Sequence, residues 1–126
     1  MKKQSSKGKK ILIIEDDFDL LWMLKKLLTT QGYPILTAVT GAQGIEVFSR
    51  NIFDIGVVVM DLSLPDEDGE VIVQEIFKVV PDIPIIITTG SEDKTQLNRL
   101  ETAGIKKILV KPFDLQRLSD VVSEYV

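Results

Sequence analysis

Apolar residues in this chain fall into two alternating textures: short unbroken runs, and stretches where they recur every three or four positions. The runs predict strands buried on both faces and the spaced stretches amphipathic helices. Lys10 to Ile14 reads as a first strand ending in Glu15-Asp16-Asp17. Asp17 then caps a helix over 18–30, with Gly32 as its stop. Leu20, Leu21, Leu24, Leu27 and Leu28 share the inward face of that helix, and Lys25 and Lys26 the other. Trp22 falls on the lysine side, either as a ring lying over the surface or as a contact for a partner.

The alternation continues. A second strand is predicted over 34–39 and a second helix over 41–50, with Ala42, Ile45, Val47 and Phe48 as its apolar positions. The third strand, 54–60, is the most hydrophobic and therefore central. Gly69 opens a third helix in which Ile72, Val73, Ile76, Phe77 and Val80 recur at helical intervals until Pro81. A fourth strand over 83–90 runs into Gly90. The helix expected at 92–102 has few apolar positions, chiefly Leu97, Leu100 and Ala103, and should pack lightly. A fifth strand over 105–110 ends in Lys111-Pro112, and Asp114 caps a last helix with Leu115, Leu118, Val121, Val122 and Tyr125 inward.

Strand followed by helix, five times, implies an α/β fold: a doubly wound parallel sheet with right-handed crossovers and helices on both faces. All strands then end along one edge, where such folds bind ligands. That edge collects Glu15 and Asp16 after the first strand, Asp61 after the third, Thr89 after the fourth and Lys111 after the fifth. Any one of them alone reads as an ordinary loop residue; together they form a set of complementary chemistry.

Composition narrows what that set does. With 126 residues the chain fits one domain. It contains neither cysteine nor histidine, which excludes thiolate and Ser-His-Asp catalysis, imidazole or thiolate metal sites, and phosphohistidine chemistry within the chain. Oxygen donors, amines and hydroxyls remain. Five of the fifteen basic residues lie in the first ten positions, so residues 11–126 carry ten basic against nineteen acidic groups, a net of −9. Such a body repels a phosphate backbone, and no nucleic acid is expected as a direct partner. No apolar run approaches the ~20 residues of a membrane span and no signal-peptide pattern opens the chain, so a cytoplasmic location is expected without membrane insertion. Residues 1–8 read as a basic tail and 9–126 as the folded domain.

Three clustered carboxylates repel one another unless a proton or a cation relieves them. Oxygen-only ligands with room for water suit Mg²⁺, with Mn²⁺ as a substitute. A lysine ammonium and a threonine hydroxyl complete what a phosphoryl group needs around its oxygens. Asp61 is then the nucleophile, forming an acyl phosphate, and Lys111 neutralises charge in the transition state. A phosphate-binding loop of the nucleotide hydrolases is excluded, because Gly8-Lys9 lacks the earlier glycine, which is Lys3 here.

Glu15-Asp16, Asp61 with Pro65 and Gly69, Thr89-Gly90 and Lys111-Pro112-Phe113 together resemble the receiver domain of bacterial response regulators, over residues 9 to 126. The resemblance implies a flavodoxin-like (βα)5 fold with strand order 2-1-3-4-5. It also implies a phosphoacceptor that takes its phosphoryl group from the phosphohistidine of a histidine kinase or phosphotransfer protein onto Asp61. By the same resemblance Asp16, Asp61 and the backbone carbonyl of Ser63 would bind Mg²⁺, Glu15 would act through water, and Lys111–Pro112 would be cis. Such a domain catalyses its own phosphorylation and dephosphorylation rather than acting as a conventional enzyme, and passes its state to a protein effector or attached output domain. Ser63 and Ser91 stand where similar proteins tune acyl phosphate hydrolysis.

Three departures stand out. Glu15 replaces an aspartate, Ile108 stands where an aromatic is common, and the third strand is long for the family, which predicts a bulge or a shifted start. The alternatives are a non-phosphorylated interaction module of the same fold and an aspartyl-phosphate phosphatase. The phosphatase lacks its second aspartate, since Ser63 occupies that position.

Overall fold

The computed structural model of the chain describes residues 9–126; the expected tail at 1–8 lies outside them. Strands and helices alternate as β1 (Lys10–Ile14), α1 (Phe18–Thr30), β2 (Ile35–Ala38), α2 (Gly41–Arg50), β3 (Ile55–Asp61), α3 (Gly69–Val79), β4 (Ile85–Thr89), α4 (Lys94–Ala103), β5 (Lys107–Val110) and α5 (Leu115–Tyr125). All five strands are parallel, in the order β2-β1-β3-β4-β5. This is the flavodoxin-like arrangement. The chain leaves β1 in one direction to form β2 and then crosses back to form β3, so the winding reverses beside these two strands and a crevice opens past their carboxyl ends. Among the described residues no helix is long and apolar enough to cross a membrane.

Alternating side chains divide the core into two layers. Leu12, Ile14, Val58, Met60, Ile85 and Ile87 face Phe48 of α2, Ile72, Val73 and Ile76 of α3 and Leu100 of α4. Ile11, Ile13, Val57, Val59, Ile86 and Leu109 face Leu21, Leu24 and Leu28 of α1 and Leu118, Val121 and Val122 of α5. Strand β3 carries the expected bulge at its start: Lys10 aligns with Ile55 but Ile11 with Val57, leaving Gly56 as the extra residue. Ile55 and Val57, two positions apart, therefore point into opposite layers. Because a one-residue slip turns every later side chain over, this bulge fixes the face on which Asp61 emerges.

Side-chain caps start the helices: Asp17 for α1, Thr40 for α2, Asp68 for α3, Asp93 for α4 and Asp114 for α5. Some expectations shift at the edges. Ala42 and Ala103 are exposed rather than inward, since the neighbouring buried positions belong to Gly41 and Gly44 on α2 and to Leu100 on α4. Strand β5 begins at Lys107, with Ile105 buried just before it. Helix α4 begins at Lys94 because Asp93 accepts the first free N–H groups. It is held lightly, as expected: Leu100 is its buried residue, and Gln96 and Arg99 both donate to the Glu70 carboxylate on α3, at 3.1 Å and 2.9 Å.

Gly69 starts α3 against the end of β3, its N–H donating to the Leu62 carbonyl at 3.1 Å. A Cβ there would collide with that carbonyl oxygen and lie 2.8 Å from Leu62 Cα, and neither belongs to a side chain that could turn aside. Gly69→Ala is therefore expected to lose roughly 1–3 kcal/mol in urea unfolding, although alanine favours helix over glycine by about 1 kcal/mol. Unchanged stability would show that the loop before α3 yields freely.

Candidate functional site

The crevice past β1 and β3 receives the carboxylates of Glu15, Asp16 and Asp61, with one oxygen of each within 4.8 Å of the others. Glu15 and Asp61 are buried, at 1% and 4% exposure, while Asp16 reaches solvent. Lys111, carried on the turn after β5, extends past β4 to place Nζ 2.8 Å from Asp61 Oδ2 and 3.6 Å from Glu15 Oε1. The Lys111–Pro112 bond is cis. Of the residues singled out from the sequence, these four bring their charged groups together, and Ser63 joins them through its backbone N–H.

Local backbone completes their hydrogen bonding. Asp61 Oδ1 accepts from the Ser63 N–H at 2.9 Å, and Glu15 Oε2 from the Asp17 N–H at 3.1 Å. Burial pushes the Glu15 carboxyl up to about 7, with the negative charge of Asp61 acting in the same direction and the Asp17 N–H and the Lys111 ammonium opposing. For Lys111, burial works against the charge. The bond to Asp61 and the fields of Asp61, Glu15 and Asp16 outweigh it and hold the ammonium above its ordinary value.

Thr89 meets this cluster through its backbone, its carbonyl accepting from the Lys111 N–H at 2.6 Å. It is fully buried and its hydroxyl accepts from the Ser91 N–H at 2.9 Å, which leaves its own O–H to donate. It lines a cavity of about 410 Å³ together with Ser63, Ser91, Asp68 and Gln96, on the β4 side of Asp61. Thr88 is also buried, but it lies opposite Asp61 in the strand register and its hydroxyl has no hydrogen-bond partner among the described residues. Ile108 packs half-buried against the α2–α4 layer.

Three carboxylates against one ammonium leave an excess of negative charge that a divalent cation would balance. Oxygens on opposite sides of a Mg²⁺ ion lie about 4 Å apart, so a 4.8 Å cluster of hard oxygen donors fits such an ion with a small contraction. Sequence reasoning did not find Asp66, whose carboxylate crosses to the start of α2, or the Glu70 pairing that holds α4. Both join residues 24 to 29 positions apart, and no local pattern marks them.

The Glu15 shift fixes a pH dependence. With cations chelated, the native state holds the Glu15 proton more tightly than the unfolded chain, whose ordinary value is 4.5. Its contribution to stability is present below pH 4.5 and is lost as pH rises towards 7. Denaturant midpoints of Glu15→Gln should therefore gain on those of wild type across that window and run parallel above it. Midpoints that stay parallel from pH 4 upward would contradict the placement of Glu15.

A family model described as the response regulator receiver domain matches residues 11–123. The chain is 33% identical over 120 residues to the transcriptional regulatory protein GlrR of Escherichia coli strain K12; that match covers 95% of this chain and 27% of GlrR, so the chain spans about a quarter of that relative's length. It is 30% identical over 118 residues to the chemotaxis protein CheY of Thermotoga maritima, covering 93% of this chain and 97% of CheY. The crystal structure of a response regulator receiver domain protein from Clostridium thermocellum superposes with a TM-score of 0.86 at 34% identity, covering 92% of each chain.

Proposed function

The chain belongs to the response regulator receiver domain family, and from that premise we propose that Asp61 is its phosphoacceptor in a Mg²⁺-dependent signalling reaction. The observation that carries the reading is the pairing of Lys111 Nζ with Asp61 Oδ2 at 2.8 Å beside the carboxylates of Glu15 and Asp16. The donor is the phosphohistidine of a histidine kinase or phosphotransfer protein. A carboxylate oxygen of Asp61 forms the new O–P bond as the P–N bond to the donor imidazole breaks, and the imidazole leaves with that electron pair.

Asp16, Asp61 and the Ser63 backbone carbonyl would hold the cation, with Glu15 acting through water. When bound, Mg²⁺ supplies positive charge to the phosphoryl oxygens. Lys111 neutralises the oxygens left over as its bond to Asp61 is exchanged for one to the phosphoryl group. The Thr89 hydroxyl, whose proton is uncommitted, donates to a phosphoryl oxygen from the β4 side. Ser63 and Ser91 share its cavity, where both are small enough to leave a water access to phosphorus. The domain works in the cytoplasm.

For donor docking the exposed apolar groups of α1 are the candidate surface. Phe18, Trp22 and Met23 are exposed, and Met23 lines a cavity of about 480 Å³ with Leu20, Lys111, Pro112 and Phe113 at the mouth of the crevice. The output surface is the face of α4, β5 and α5, where Lys106 and Lys107 are exposed and the lightly held α4 lies. A protein effector or an attached output domain reads it.

Incubation with Mg²⁺ and a small phosphodonor, followed by intact mass, tests the central claim. Wild type should gain one base-labile phosphoryl group that Asp61→Asn lacks and that chelation prevents. Donor consumed with turnover would indicate a phosphatase, and no mass change a binding module alone. Trp22→Ala should slow phosphotransfer from the cognate kinase while leaving labelling by the small donor unchanged; equal kinase rates would remove α1 from the docking surface.

A further inference from the structure

The loop from β3 to α3, residues 62–68, carries Ser63 over the crevice. Its two ends are fixed by backbone bonds: the Leu62 N–H donates to the Thr88 carbonyl at 2.9 Å, Gly69 donates to Leu62, and Ser63 forms an isolated bridge with Asp68. The bend between them, Pro65 to Glu67, is exposed. Such a bend would ordinarily be loose.

Asp66 at its apex is not loose. Its Oδ1 accepts from the Gly41 N–H at 2.7 Å and its Oδ2 from the Ala42 N–H at 3.0 Å. These are among the first N–H groups of α2, which have no partner within the helix and lie at its positive end. The two bonds, Ala42 first, hold the Asp66 carboxyl below its ordinary value. A plain capping role does not account for the arrangement. Helix α2 already has a local cap in Thr40, whose hydroxyl accepts from the Gln43 N–H at 3.0 Å, and Asp66 comes from 25 residues downstream. Both carboxylate oxygens are used, so the bend is held at two points.

What the loop is tied to matters as much. Helix α2 packs closely on β1, where a Cβ on Gly44 would lie 2.5 Å from Ile14 Cδ1. Ile14 directly precedes Glu15 and Asp16. The Asp66 bonds therefore close a ring of contacts: the end of β1, helix α2, the β3–α3 loop, and Asp61 beside β1 again.

We propose that Asp66 is a positioning residue for the cation site, fixing the β3–α3 loop to α2 so that the backbone at Ser63 is preset relative to the carboxylates of β1 and β3. Asp66 does not touch the ion; it acts through the loop. The inference rests on the metal-dependent reading above and extends it to a residue outside the crevice.

Calorimetric titration of the full chain with Mg²⁺ alone, without phosphodonor, tests it on Asp66→Ala, Asp66→Asn and Thr40→Ala. Loss of an outer partner of a metal site typically costs 10–100-fold in affinity, so Asp66→Ala should weaken Mg²⁺ binding about 10-fold. Asp66→Asn keeps one acceptor oxygen and should fall between Asp66→Ala and wild type. Thr40→Ala weakens the same helix start without touching the loop; it should lower the melting temperature and leave Mg²⁺ affinity alone. Amide exchange across 62–68 should quicken in metal-free Asp66→Ala but not in Thr40→Ala, and saturating Mg²⁺ should restore Asp66→Ala labelling to near the wild-type rate.

Asp66→Ala with wild-type Mg²⁺ affinity, or Thr40→Ala with an equal loss, overturns the proposal while the phosphoacceptor reading stands. A wild-type chain that binds no Mg²⁺ overturns both.

Discussion

Carboxylates as close as those of Glu15, Asp16 and Asp61 would drive their strands apart if nothing stood between them, and the Lys111 ammonium is what does. That one cation reaches two acids delivered by different strands, from a turn two strands away from β3. The compensation is partial. Glu15 remains raised towards neutrality because burial outweighs the help it receives. A site left with surplus negative charge and well-placed oxygen donors has the chemistry to accept a divalent cation from outside.

The rest of the fold serves that constraint. Parallel winding brings the strand ends to one edge, the reversal between β1 and β3 opens the crevice, and the extra residue at Gly56 decides which way Asp61 faces. Two buried layers clamp the sheet, but unevenly: α1 and α5 are sewn in by rows of leucine and valine, whereas α4 rests on Leu100 and a surface ion pair at Glu70. Ion pairs at that exposure restrain weakly.

Much of this was legible from residue order, for identifiable reasons. Strands such as Val57–Met60 are short, apolar and ended by a charge, so both their existence and the residue they deliver could be read directly. The bulge was visible because an unusually long third strand had to be shortened somehow. Legibility failed where packing, not pattern, chooses. Ala42 and Ala103 look apolar, but on α2 the inward positions went to Gly41 and Gly44, because the helix lies too close to Ile14 and Ile72 for a side chain. Asp66 sits beside Glu67 and Asp68 with nothing local to set it apart; its meaning depends on a helix start 25 residues earlier, which only the folded chain brings within reach.

Trp22 is the chain's single tryptophan, 61% exposed on the outer side of α1 with the Lys26 ammonium 5.0 Å from its ring centroid. Its indole lines a surface dimple with Lys25, Lys26, Thr29 and Thr30, away from the acids. Intrinsic emission at this position is therefore a built-in optical label for whatever settles on that helix, and it should respond far less to ions entering the crevice. A titration that follows it separates encounter with another macromolecule from occupancy of the inorganic pocket, with no dye attached.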